Sequence, residues 1–225
     1  MKMAWNRKSY KWFYDHIHSH YYALLIKWCF LPFGGEDRVR KELIAHIGFS
    51  PKDRILDMCC GIGGVTFVIA EKAGQYSDIV GMDLSSGQIE IARKNNHFSN
   101  IRFVEGDVTN TGFKNGFFDK VFIAHALHEM SRENRLKVLT EARRILRENG
   151  EVIILELDNP DNIFVRLFIG FWFFYWLPFN FETPTRRDML KRRLTTEVDE
   201  IGFKCVVKQS WFHGVFQVVQ GMSGG

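Results

Sequence analysis

A chain of 225 residues is long enough for one domain with a sizeable core. An apolar share of 46% and a charged share of 25% exclude a disordered chain, and a net charge of +4 is too small to point to nucleic acid by itself. Four cysteines (Cys29, Cys59, Cys60, Cys205) form no CxxC pair, no His-coupled zinc spacing and no disulfide framework, so neither a metal nor an oxidising compartment is expected.

From Ser9 to Phe33 the chain is aromatic and helix-compatible until Pro32, Gly34 and Gly35 break it. It contains His16, His18 and His20, so it lacks the apolar core of a signal peptide; with that alternation the three do not share a helix face and are not read as metal ligands. A second helix is predicted from Glu36 to about His46, with Val39, Leu43, Ile44 and Ile47 as its apolar stripe. From Pro51 the pattern becomes strand, turn, helix, repeated. Strands are predicted at Arg54–Met58, Asp78–Met82, Ile101–Val104, Asp119–Ala124 and Glu151–Glu156. Helices are predicted at Gly64–Ala73, Ser86–Asn96 and Arg132–Arg147, the last stopped by Asn149-Gly150. Such alternation implies a parallel sheet covered on both faces. Phe203–Lys208 and Trp211–Gln220 read as two closing strands able to pair antiparallel, and the end at Ser223-Gly224-Gly225 reads as disordered.

The stretch Leu167–Phe179 is 13 residues without a charge, short of the roughly 18 needed to span a bilayer. It reads as a buried helix or a lid over an apolar pocket, with contact at a membrane interface as the second reading. The basic run that follows, Arg186 to Arg193, reads as a solvated helix face or as an attractor of anionic lipid or substrate phosphate.

The chemistry concentrates at three strand ends. The first strand runs into Asp57-Met-Cys-Cys-Gly61-Ile-Gly63-Gly64, and in a doubly wound sheet ligands bind at the carboxyl ends of strands. Gly61 and Gly63 let backbone approach a ligand closely. The second strand ends in Gly81-Met-Asp83-Leu-Ser85, placing an acid about 20 residues after the first Gly, where a carboxylate can accept from both hydroxyls of a ribose. The third is followed by Glu105-Gly106-Asp107-Val108, where an acid can accept from the adenine amino group and Val108 can pack on the ring. Asp83 and Asp107 could each instead be helix or turn caps. A dinucleotide fingerprint needs a third Gly where Thr66 stands, which argues against NAD. Cys59-Cys60 reads as a pair of small packing residues.

These residues carry a family resemblance. ILDMCCGIGG, VGMDLSSGQIEIAR, FVEGDV, FDKVFIAHALHEM and EARRILRENGEVIILE resemble the core of class I S-adenosylmethionine-dependent methyltransferases over residues 50–157. Within that superfamily, Tyr14-Asp15, LELDNP and the final IGFKCVVKQSWFHGVFQVVQG most resemble the methyltransferase-11-like enzymes near the ubiquinone and menaquinone C-methyltransferases. The resemblance implies an α/β, Rossmann-like, doubly wound seven-stranded sheet in a single domain. It would comprise an N-terminal helical cap (1–48), a cofactor-binding core (50–157), an aromatic and basic cap (158–200) and closing strands (201–221). It implies that S-adenosyl-L-methionine binds and leaves as S-adenosyl-L-homocysteine. Asp57 and the Cys59–Gly63 backbone would hold its methionine end, Asp83 the ribose, Leu84 the edge of the adenine, and Asp107 and Val108 the adenine. Tyr14 would fold over the cofactor, and His125 would lie near the sulfonium. The family usually has Gly where Cys59 stands.

Methyl transfer is an in-line displacement that needs mainly alignment and exclusion of water. A base is required only where the acceptor must lose a proton, and His125 and His128 have the titration range for it. His125 is read as a base or as a packing residue near the cofactor; His128 and Glu129 are read as catalytic candidates or as the start of the next helix. The expected function is methyl transfer to a small, lipophilic acceptor such as an isoprenoid quinol, in the cytoplasm, with membrane-surface contact through residues 163–193 and no nucleic acid. The alternatives are N-methylation of an amine or phospholipid head group, and a non-catalytic protein that binds the cofactor or a partner.

Overall fold

The computed structural model describes residues 27–176 and 184–224. In chain order the elements are α1 (Glu36–Leu43), β1 (Arg54–Met58), α2 (Gly64–Ala73), β2 (Asp78–Asp83), α3 (Ser86–Asn95), β3 (Ile101–Glu105) and β4 (Phe118–Ala124). Then come α4 (Arg132–Ile145), β5 (Leu146–Leu157), α5 (Ile163–Trp176), α6 (Pro184–Arg192), α7 (Leu194–Glu200), β6 (Phe203–Trp211) and β7 (Phe216–Ser223). The strands form a seven-stranded sheet in the order β3-β2-β1-β4-β5-β7-β6. Pairing is parallel for β2 with β3 and for β4 with β5, and antiparallel where β7 joins β5 and β6. This is the α/β, Rossmann-like sheet expected from the alternation of strand and helix.

By compactness the described chain divides in two: residues 27–52 with 57–108, and residues 53–56 with 109–176 and 184–224. In the first part, α1 turns Val39 and Leu43 inward. It is tied to α2 by Lys72, whose ammonium donates to the carbonyl of Ile44 at 2.6 Å and to that of Ala45. These are carbonyls just past the end of α1, where a cation is favoured. An ion pair between Lys41 and Glu71 adds a second tie. α3 begins with Ser85 as its cap, the hydroxyl accepting from the Gln88 amide at 3.3 Å.

In the second part, Val121, Phe122 and Ile123 of β4 and Val152 to Leu155 of β5 are fully buried. Runs of this kind, apolar on both faces, are what a sheet covered on both sides demands, and each such side chain contributes roughly 1.5–3 kcal/mol on burial. Arg135 of α4 is also fully buried. Its guanidinium forks onto Glu197 of α7 at 2.6 and 2.8 Å and reaches Asp188 of α6 at 2.8 Å.

Several boundaries differ from expectation. α4 stops at Ile145, not Arg147, and β5 begins at Leu146. Leu146 pairs with Phe118, and Arg147 bonds Asp119, so the strand ladder and an ion pair outcompete one more helical turn. Asn149-Gly150 therefore lies inside β5. β6 runs through Trp211, and the turn to β7 holds Phe212 and His213 at φ of 51° and 56° before Gly214 at 82°. Ser223 is ordered, paired with Phe203 in the ladder. The basic stretch is two helices separated by Arg193 at φ 66°.

The described part of the aromatic segment is helical, and over residues 163–172 it is largely exposed. Within α5, Ile169 is buried, while Ile163, Phe164, Leu167, Phe168 and Phe171 are exposed, Phe164 at 78%. At 100° per residue those five fall on one side of the helix and Ile169 on the other. No helix among the described residues is long and apolar enough to cross a membrane. Residues 177–179 of the apolar run lie outside the described residues.

Candidate functional site

The carboxyl ends of β1, β2 and β3 bring Asp57, Cys59, Gly61, Gly63, Asp83, Leu84, Asp107 and Val108 into the first part of the chain. Asp57 lies inside β1 and is fully buried. Its Oδ2 accepts from the Thr66 hydroxyl at 2.6 Å, and its Oδ1 has no hydrogen-bond partner. Burial pushes this carboxyl up to about 7, against the opposing effects of the Thr66 hydrogen bond and the charge of Arg40.

The turn after β1 takes a left-handed conformation at alternate residues. Cys59 sits at φ 60°, Gly61 at 55° and Gly63 at 86°. Cys59 thus adopts the left-handed conformation that favours Gly, at a cost of about 1–2 kcal/mol. Gly63 is the residue before α2, and a methyl group there would meet the rings of Phe67 and Phe103 at 2.9 Å. Gly81 of β2 is equally constrained: a methyl group there would lie 2.6 Å from Phe103. Cys60 is buried, and burial first, then the charges of Asp83 and Asp57, push its thiol well up. It therefore stays a thiol and serves as packing, not as a nucleophile.

Asp83 ends β2 and binds this turn to the next helix. Its Oδ2 accepts from the Gly61 amide and its Oδ1 from the Ser85 amide, both at 2.9 Å. These two bonds orient the Asp83 carboxylate at the carboxyl end of β2. Ser85 caps the helix, while the bond from the Ser85 amide to Oδ1 makes Asp83 a turn residue, in keeping with the turn-cap reading of this acid. Leu84 and Asp107 are half-buried and Val108 is buried. An acid that can take a diol, a further acid and apolar contact for a base, glycine-lined backbone, and a buried acceptor atom on Asp57 together suit an adenosyl group carrying an amino-acid tail.

The second part of the chain holds the two histidines. His125 follows β4 at φ 50°, its amide donating to the Leu155 carbonyl at 2.8 Å and its ring edge-on to Phe216 with centroids 5.7 Å apart. His128 does not start α4: it lies in a 3₁₀ turn, Leu127–Glu129, and Ser131 caps the helix. Its Nδ1 lies 2.7 Å from Oε1 of Glu156, and its amide donates to Oε2 at 3.2 Å. Glu156 is fully buried on β5. Burial alone would raise its carboxyl, but His128 and the Leu157 amide hold it down at about 2, and the His128 imidazole is raised in turn despite its own burial. Sequence reading passed over Glu156. Its only signal was an acid standing in a strand otherwise read as buried. An open hollow of about 620 Å³ beside the start of β5, lined by residues such as Asn115, Arg143 and Glu200, contains none of the residues singled out from sequence. Tyr14 lies outside the described residues, and no cluster of three or more His, Cys, Asp or Glu able to hold a metal occurs among those described.

A methyltransferase domain model matches residues 55–150. An uncharacterised methyltransferase of Synechocystis is 29% identical over 88% of this chain and 89% of its own length. A demethylmenaquinone methyltransferase of Thermotoga maritima is 33% identical over 66% of this chain, a match that spans 63% of that enzyme. Among solved structures, a Methanococcus maripaludis protein assigned as an S-adenosyl-L-methionine-dependent methyltransferase superposes with a TM-score of 0.68 at 21% identity, covering 99% of this chain and 97% of that one.

Proposed function

From the premise that this chain is a class I S-adenosylmethionine-dependent methyltransferase, we propose that it methylates a small lipophilic acceptor of the isoprenoid-quinol type. Bound at the ends of β1 to β3, the cofactor supplies an electrophilic methyl group. Asp83 would hold the ribose, Leu84, Asp107 and Val108 the adenine, and Asp57 with the Cys59–Gly63 backbone the methionyl end. A quinol carbon becomes nucleophilic as its ring hydroxyl loses a proton, so a proton acceptor is required. We assign that role to His128, with His125 as a substrate contact. Glu156 on Nδ1 fixes the imidazole, as a buried carboxylate orients a histidine base elsewhere.

The observation that carries the acceptor class is the apolar face of α5, with Phe164, Leu167 and Phe171 turned outward. Such a face is costly in water and suits an acceptor drawn from a lipid phase, with the protein at the membrane surface. The relatives named for demethylmenaquinone favour the same class.

The test uses the purified chain, labelled S-adenosylmethionine and liposomes carrying a reduced, prenylated naphthoquinone that lacks the ring methyl. Label in the quinone supports the proposal, together with loss of liposome sedimentation in the Leu167→Ser/Phe171→Ser variant. Label found only in phosphatidylethanolamine included in the same liposomes would replace it with head-group N-methylation.

A further inference from the structure

Arg40 played no part in the site read from sequence, yet it sits against the glycine turn. It lies on α1, which Lys72 and the Lys41–Glu71 pair hold against α2. A methyl group built on Gly64, the first residue of α2, would lie 1.6 Å from Arg40 Nη1 and 2.2 Å from its Cζ. The guanidinium therefore rests directly on the Gly64 backbone, and only glycine leaves it that space.

The placement is electrostatically odd. The start of a helix carries partial positive charge and favours anions, not a cation. Part of the conflict is met by Glu36, one turn back on α1, whose Oε1 lies 2.5 Å from Nη1. Asp57 also feels the Arg40 charge. Yet Arg40 Nε is buried without a hydrogen-bond partner, and so is Asp57 Oδ1, while the Arg40 side chain is only 12% exposed. A buried donor and a buried acceptor left unmade each cost about 1–3 kcal/mol. Here they flank one glycine turn, one positive and one able to be negative. A purely structural clamp of α1 on α2 gains nothing from leaving both unmet. An α-amino acid zwitterion satisfies both.

We propose that Arg40 anchors the cofactor by its methionyl α-carboxylate, at the start of α2, while Asp57 faces the α-ammonium. A guanidinium is the suited group, since its fork takes a carboxylate bidentately and stays charged at any working pH. The proposal rests on the cofactor assignment and not on the identity of the acceptor.

Calorimetric titration with S-adenosylhomocysteine and with 5′-methylthioadenosine, which lacks the amino-acid end, tests it. Arg40→Met is expected to weaken S-adenosylhomocysteine binding about 10- to 100-fold, the loss of one charge-assisted pair. Methylthioadenosine affinity should hold within about twofold, with thermal unfolding reporting intact folding; Arg40→Lys should fall between. Glu36→Gln, which frees the guanidinium of its competitor, is expected to leave S-adenosylhomocysteine binding equal or tighter. Unchanged S-adenosylhomocysteine affinity in Arg40→Met, or an equal loss for both ligands, overturns the proposal. So does weaker S-adenosylhomocysteine binding in Glu36→Gln, the decisive variant should Arg40→Met fail to fold. A wild-type protein that binds neither ligand would instead remove the cofactor assignment, and the proposal with it.

Discussion

The hydroxyl of Thr66 donates to the fully buried carboxylate of Asp57 across 2.6 Å, joining the first turn of α2 to β1. Thr66 is the residue that breaks the dinucleotide fingerprint. Where that fingerprint uses a glycine for close packing, this chain uses a side chain to aim an acid.

Burial of Asp57, which the Thr66 bond only partly offsets, sets a pH dependence. The Asp57 carboxyl is raised to about 7 in the fold, while the unfolded chain loses this proton near its ordinary value of about 3.9. Between those values the native state holds a proton that the unfolded state has lost. Stability of the ligand-free protein therefore falls as pH rises through this window, by at most about 1.4 kcal/mol per unit. Urea denaturation across the window should show the slope, and Asp57→Asn should flatten it. Thr66→Val removes the one hydrogen bond opposing burial, so Asp57 should titrate higher still and cofactor affinity at neutral pH should fall about tenfold.

The His128–Glu156 pair acts with the opposite sense at its acidic end. Glu156 is held down to about 2, so its stabilisation is complete above its ordinary range and is lost as pH falls towards about 2. His128 is raised, so its share is present at low pH and is lost as pH rises through the shifted value. Glu156→Gln should lower the imidazole titration seen by NMR and cost about 3–5 kcal/mol, the penalty for breaking a buried pair. If His128 serves as the base, the same change moves the pH–rate profile without moving cofactor affinity.

Cys59 offers a gain. At φ 60° a side chain is strained, and glycine is not, although glycine gives the unfolded chain more freedom. Cys59→Gly should leave stability unchanged or raise it by about 1 kcal/mol in a denaturant titration, with cofactor affinity retained.

Arg135 tests the buried pair it makes with Glu197, which joins α4 to α7. Arg135→Ala strands Glu197, itself 1% exposed, and should cost about 3–5 kcal/mol. Arg135→Met with Glu197→Leu removes both charges together and should recover most of that loss in the same melting experiment.

Local chemistry determined a good deal of this protein. The alternation of apolar runs with glycine turns carried the strands and helices of the sheet, because buried parallel strands and their helices leave different periods in the chain. The acids at 57, 83 and 107 were legible because a strand's carboxyl end lies next to the turn that follows it. What only the tertiary structure decided involves groups distant in sequence or set by competition. Glu156 meets His128 across 28 residues, and Arg40 meets Gly64 through the docking of one helix on another. The end of α4 was settled by strand pairing at Leu146. The outward face of α5 was beyond sequence for the same reason: an apolar helix has the same composition whether its stripe meets a core or solvent, and only the packing around Ile169 shows which side is in.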